Sequence, residues 1–223
     1  MVNASMLLAI DTSTQVTGLA CYDASGVIAE CTWQSGRDHT SQLLPQLTML
    51  LRHVGRTPDS ITAIGVALGP GSWSGLRVGV STAKGLALAR NLPVIGIGTL
   101  DMLTHQHQQH GLTVVPIVRL GRERFAIPGA QEPRNVSLAE ICAEITGRAL
   151  FCGDIDTEVR TTLRQHLAER AVFPSLASNV RRPSFLAELA WQRLQANKVD
   201  DIGTLEPIYL GQPVKLPSSS LPA

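Results

Sequence analysis

Apolar residues follow two rhythms along the first hundred positions. Met6 to Ile10 is an unbroken apolar run ending on Asp11-Thr12-Ser13-Thr14. Val16 to Tyr22 and Val27 to Gln34 are strand-like stretches with Asp23-Ala24-Ser25-Gly26 as the turn between them. Ile61 to Leu68, rich in β-branched and apolar residues and ended by Gly-Pro, reads as a buried strand. In contrast, Leu43, Leu44, Leu47, Leu50, Leu51 and Val54 recur at helical spacing and define one broad stripe. Thr40 and Ser41 stand where that helix should be capped, and Pro45 falls near its first turn, where a missing N–H costs little. After Gly69-Pro70 a small-residue helix is predicted to about Arg90, capped by Ser72 or Ser74. Residues 6 to about 100 therefore read β-β-β-α-β-α-β.

From Asp101 the pattern loosens. A helix is predicted over Asp101 to His110, a strand over Thr113 to Val118 and another over Arg122 to Ile127. Pro128-Gly129 and Pro133 break the chain before a helix from about Ser137 to Thr146. A strand at Ala149 to Cys152 and helices over Thr157 to Glu169 and Ser184 to Asn197 follow, the last with Leu186, Leu189, Ala190 and Leu194 as its apolar stripe. Leu216 to Ala223, rich in Pro and Ser, reads as a frayed tail. The expected division is a first lobe over 1–100, a reduced second lobe over 101–215 and the tail.

Composition narrows the function. A formal net charge of +1 argues against strong autonomous nucleic-acid binding, and 4% aromatic residues leave few stacking platforms for single-stranded RNA. Val2 to Ile10 is too short and lacks the basic flank of a signal peptide, and no apolar run approaches the ~18 residues of a membrane span, so a cytoplasmic protein is expected. Cys21, Cys31, Cys142 and Cys152 form no C-x-x-C pair and read as small apolar residues.

Candidate chemistry is concentrated in two turns. Gly69-Pro70-Gly71-Ser72, between a strand and a helix, suits the presentation of backbone N–H groups to an anion or a partner, and equally a tight ligand-free connection. Asp11-Thr12-Ser13 between two strands has the layout of the first phosphate loop of actin-like and sugar-kinase-like ATPases; hairpin closure by side-chain hydrogen bonds is the plainer reading. His39, at a helix entrance beside Thr40 and Ser41, is expected to be a local hydrogen-bonding group. His105, His107 and His110 lack a further ligand at metal spacing, and no metal is expected there. Ser72 and Ser74 lack the Gly-x-Ser-x-Gly elbow of a hydrolase. Gly75, Gly79, Ala83 and Ala87 recur every four residues, a ridge that lets another element approach closely: a partner helix or the chain's own sheet.

Together these segments resemble the TsaB (YeaZ) family, bacterial proteins required for making threonylcarbamoyladenosine in tRNA. The resemblance rests on Leu8-Ala9-Ile10-Asp11-Thr12-Ser13, Asp38-His39-Thr40, Leu43-Leu44-Pro45, Gly69-Pro70-Gly71-Ser72, Gly75-Leu76-Arg77-Val78-Gly79, Lys84-Gly85-Leu86-Ala87 and Val94 to Leu100, in family order and spacing. Glu206-Pro207-Ile208-Tyr209-Leu210 is similar to the family's closing Pro-x-Tyr-Leu segment. The resemblance implies an α/β fold of the actin/Hsp70/sugar-kinase type in two lobes, the second short and divergent. It implies a non-catalytic partner of the paralogous enzyme TsaD, working with the ATPase TsaE and touching tRNA only indirectly, without a cofactor. Its partner surface would be His39, Leu43 and Leu47 on the first helix and Gly75, Gly79, Ala83 and Ala87 on the second, a surface that can also pair with itself as a homodimer. Asp11, Thr12, Ser13, Gly69, Pro70, Gly71 and Ser72 would be vestigial phosphate-loop turns.

The chain departs from the family at Ile117-Val118-Arg119-Leu120-Gly121-Arg122, where an Asp-Ala-Arg-type motif is expected. It also has Gly98-Thr99-Leu100-Asp101-Met102 where the catalytic paralogue carries His-x-x-x-His. Gly153-Asp154 and Asp200-Asp201 are the nearest substitutes for a second acidic turn, and neither reads as a strand–turn element. A small ATPase or kinase of the same fold is the alternative, and a peptidase a more distant one.

Overall fold

The computed structural model describes residues 5–36, 38–108 and 111–210; Arg37, His110 and the expected tail lie outside them. Strands β1 (Met6–Asp11), β2 (Val16–Asp23) and β3 (Gly26–Gln34) form an antiparallel meander. Helix α1 (His39–His53) leads to β4 (Ile61–Gly69), which joins β1 in parallel, and α2 (Trp73–Arg90) leads to β5 (Val94–Gly98), parallel to β4. The sheet order is β3-β2-β1-β4-β5.

After α3 (Thr99–His107) the same sequence of elements recurs. Strands β6 (Thr113–Arg119), β7 (Phe125–Ile127) and β8 (Arg134–Val136) form a second meander. Then α4 (Leu138–Glu144), β9 (Ala149–Gly153), α5 (Thr157–Leu167) and β10 (Ala171–Val172) follow, giving the order β10-β9-β6-β7-β8. The second half is thus a shortened copy of the first in topology. Two strands escape the sequence reading: β8 and β10 are too short for an alternation to be visible.

The sheet positions explain the apolar rhythms. All six residues of β1 are buried because helices cover both faces of the first sheet. Met6, Leu8 and Ile10 face Leu43, Leu47, Leu50 and Leu51 of α1 and Val80, Ala83 and Ala87 of α2. Leu7 and Ala9 face the opposite layer, Leu100 and Leu103 of α3 and Leu186, Ala187 and Ala190 of α6 (Pro183–Gln195). Helix α6, placed by sequence in the second lobe, therefore packs on the first sheet, and the apolar cluster it joins reaches Val118, Ala126 and Cys152 of the second. Phe125, Phe151, Val159 and Leu163 anchor the separate core of the second lobe.

Local differences have local reasons. Asp38, not Thr40 or Ser41, is the N-cap of α1; Ser41 Oγ instead donates to the Asp38 carbonyl at 3.0 Å. Pro45 falls one turn later than expected, and Leu44 of the predicted stripe points outward, 51% exposed.

Candidate functional site

The two glycine- and hydroxyl-rich turns meet. Ser72 N–H donates to the Ser13 carbonyl at 2.6 Å, and Thr12 Oγ donates to the Gly75 carbonyl at 2.7 Å. Asp11, Thr12 and Ser13 are almost wholly buried, and one oxygen of the Asp11 carboxylate accepts both the Ser13 N–H at 2.9 Å and the Ser13 hydroxyl at 2.6 Å. Three glycines create the space. A Cβ on Gly71 would stand 2.1 Å from the Ser13 carbonyl oxygen, one on Gly75 2.1 Å from that of Thr12, and one on Gly79 2.3 Å from the Thr12 hydroxyl. The ridge Gly75, Gly79, Ala83, Ala87 is real, but the close approach it permits is made by this chain's own first turn and sheet. His39, Leu43 and Leu47 are likewise buried. None of these seven residues is a surface available to a partner, which corrects the expected interface.

Ser72 Oγ also accepts from Gly75 N–H at 3.3 Å, so the α2 N-terminus spends donors on its own cap and on Ser13. Chemically this is a joint: its hydrogen-bonding capacity is turned inward.

His39 supports the joint from below. Its Nδ1 lies 2.8 Å from the Thr17 hydroxyl and 3.0 Å from that of Ser35, which are 2.8 Å from each other. Burial holds the imidazole below its ordinary pKa against the opposing pull of the Asp11 and Asp38 carboxylates. Neither Ser72 nor Ser74 approaches it as a hydrolytic nucleophile would; Ser72 caps α2 with Ser74 Oγ 3.4 Å away.

A cleft of about 770 Å³ opens beside the joint, between Thr14, Gln34 and Ser72 of the first lobe and Arg119, Asp154 and Asp156 of the second. Here the sequence reading of Asp154 needs correction: Gly153 ends β9 with φ +94°, and Asp154 follows in the turn that enters α5, facing the cleft. Arg119 ends β6 as Asp11 ends β1, so a cation stands where the first lobe has its acid. Its guanidinium pairs with Asp156 at 2.6 Å, and its N–H donates to Asp154 at 2.9 Å. Asp200, by contrast, is structural: it accepts from Gly96 N–H at 2.7 Å and from Arg193 at 2.8 Å.

The closing segment is anchored as its motif suggests. Ile208 N–H donates to the Leu68 carbonyl at 2.7 Å, and Tyr209 stacks on Trp73 with ring centroids 3.8 Å apart. His105 pairs with Glu188 at 2.9 Å while His107 is buried. Among the described residues, no group of three or more His, Cys, Asp or Glu converges as a metal site, and no helix is long and apolar enough to cross a membrane. Cys21 and Cys152 are buried thiols, pushed up by burial to about 11 and about 12. Sequence reasoning missed Asn179 and Arg181, which from the segment before α6 bond to Gly153 and to Ser13 and Asp154 respectively; no local pattern marks them.

Comparison with known proteins agrees with this geometry. The family model for TsaD, tRNA N6-adenosine threonylcarbamoyltransferase, matches residues 23–136. The tRNA threonylcarbamoyladenosine biosynthesis protein TsaB of Bacillus subtilis is 28% identical over 217 residues, 92% of this chain and 93% of that protein. TsaB of Escherichia coli is 38% identical over 94 residues, 42% and 40% of the two chains. Among solved structures, YeaZ from Pseudomonas aeruginosa superposes with a TM-score of 0.76 at 21% identity, covering 92% of this chain and all of that one. Component A of (R)-2-hydroxyglutaryl-CoA dehydratase from Acidaminococcus fermentans shares the fold at a TM-score of 0.52 and 11% identity, covering 86% of this chain and all of that one. A family model spanning half the chain, a near full-length relative and a doubled actin-like topology lead to one conclusion: the chain belongs to the TsaB (YeaZ) family, within the wider group that the TsaD model describes.

Proposed function

We propose that this protein serves threonylcarbamoyladenosine formation in tRNA as a non-catalytic subunit in the cytoplasm. It binds a TsaD-like enzyme, works with a TsaE-like ATPase and meets tRNA only through that assembly. The observation that carries the role is similarity to the Bacillus subtilis TsaB protein along nearly the whole length of both chains. The inward-turned joint supports the absence of catalysis. Asp11 is engaged by its own turn, and Arg119 stands where a second acid would be needed to hold a metal-bound nucleotide between the lobes.

With the small-residue ridge buried, the partner surface moves to the outward faces of α1 and α2. Leu44 and Met49 are exposed on α1, and Leu88 is 69% exposed on α2. Gly85 lies on the same side of α2 with nothing within 4 Å of where its Cβ would be. A glycine in an exposed helix interior costs ~1 kcal/mol relative to alanine, a cost that close approach of a partner helix offsets. Two copies can meet through these faces when the enzyme is absent.

Co-expression with the organism's TsaD-like protein, followed by co-purification and nucleoside mass spectrometry of tRNA from a strain lacking this gene, tests the role. Association and loss of the modified nucleoside are expected. Gly85→Leu should stay folded and lose the enzyme, because the added side chain meets open space in this chain and the partner only in the complex. ATP hydrolysis by the purified chain that disappears with Asp11→Ala would overturn the non-catalytic assignment.

A further inference from the structure

The segment entering α6 is fastened to both lobes in a way that the proposed role does not require. On the second lobe, the Asn179 amide grips Gly153 from both sides, accepting from its N–H at 2.9 Å and donating to its carbonyl at 2.8 Å. On the first lobe, Arg182 pairs with Glu30 of β3, which also accepts from Ser184 N–H at 3.2 Å. Gln106 of α3 donates to the carbonyls of Ser178 and Val180. Arg181 lies between these attachments, 6% exposed.

Its guanidinium reaches both turns. Nη1 donates to Ser13 Oγ at 3.2 Å, and Nη2 to Asp154 Oδ1 at 3.2 Å. Ser13 Oγ in turn donates a hydrogen bond to Asp11 at 2.6 Å, while the other Asp154 oxygen accepts from the Arg119 backbone N–H. A continuous polar chain therefore runs Asp11–Ser13–Arg181–Asp154–Arg119 from the end of β1 to the end of β6. A guanidinium this deeply buried loses hydration and is tolerated only with acceptors in place, so such a bridge fixes one arrangement of its surroundings rather than adding much net stability.

We propose that Arg181 is an intramolecular clasp that holds the two lobes at one spacing, its guanidinium lying between the two turns as a built-in cation. The apolar cluster shared by the sheets joins the lobes at their base, and the clasp sets the width of the cleft above it. This is independent of any partner.

The test is amide hydrogen exchange on the purified full chain. Asp154→Asn keeps the shape of the second turn and removes its charge; exchange should rise about tenfold or more at residues 13–15, in the other lobe, as well as at 153–156. Arg181→Ala should produce the same pattern, and the double variant should be no looser than either single one. Methylguanidinium at sub-denaturing concentration should restore protection in Arg181→Ala, while sodium chloride of equal ionic strength should not. Loosening confined to residues 153–156 in Asp154→Asn overturns the clasp, and so does failure of methylguanidinium to restore a folded Arg181→Ala.

Discussion

Counting from the N-cap, helices α2 and α5 carry different residues at corresponding positions of the two lobes. Ser72 caps one and Asp156 the other; three residues on stand Gly75 and Val159, then Gly79 and Leu163, then Ala83 and Leu167. All six are buried. In the second lobe these side chains fill the core under a small sheet. In the first lobe they are absent or cut back to a methyl, and the groove left near the helix start admits the backbone of Thr12 and Ser13. One topology thus supports two packing solutions, a filled helix–sheet interface and a carved one. The carved one brings the turns that follow β1 and β4 into direct hydrogen-bond contact, Ser72 N–H on the Ser13 carbonyl.

The contrast can be broken most severely at Gly75. Gly75→Val places its side chain on the Thr12 carbonyl and should cost about 3–5 kcal/mol, with loss of the Thr12 to Gly75 hydrogen bond. A denaturation midpoint near wild type would show that the groove does not hold the turn. The reciprocal change, Leu163→Ala, empties a fully buried site and should cost about 2–4 kcal/mol in urea unfolding. A negligible loss would mean that the second lobe is not packed through α5.

Acidification sharpens the comparison, since His39 supports only the carved lobe. The unfolded chain takes up this proton near the ordinary value of 6.5, and the folded chain only at lower pH. Protonation therefore favours unfolding: stability is fully present above about pH 6.5 and falls as pH drops below it. Urea midpoints should decline on acidification in the wild type and less steeply in His39→Asn; parallel curves would remove His39 as the cause. The smallest effect is at the exposed glycine of α2: Gly85→Ala should raise stability by about 0.5–1 kcal/mol, as expected where a Cβ meets open space. If it destabilises instead, the face is not open.

Long elements with a clear period were legible in the sequence. The strands from Met6 to Gln34 and the strand–glycine–helix unit at Ile61 to Arg90 lie where pattern and turn chemistry put them, and so does the α1 stripe apart from Leu44 and the cap. A stripe reveals that a face is buried but not by what. Leu186 and Ala190 mark the inner face of α6, yet nothing local says that it lies on the first sheet; Gly75 and Gly79 announce close approach without naming Thr12 as the visitor. Arg181 is invisible in the sequence because its role depends on Ser13, 168 positions away, and Asp154 because Gly153-Asp154 does not read locally as a strand–turn element.

The groove also sets a timetable for synthesis. Thr12 leaves the ribosome 63 residues ahead of the Gly75 carbonyl that it must reach. At about 5–20 residues per second, roughly 3–13 s pass before that partner is made. Early in this interval β1 can pair with β2, but its other edge waits for β4, and Leu7 and Ala9 wait longer still for α3 and α6 on their face of the sheet. A nascent chain halted before β4 should therefore present the unpaired apolar edge of β1 to chaperones, and one halted after α2 should have that edge covered.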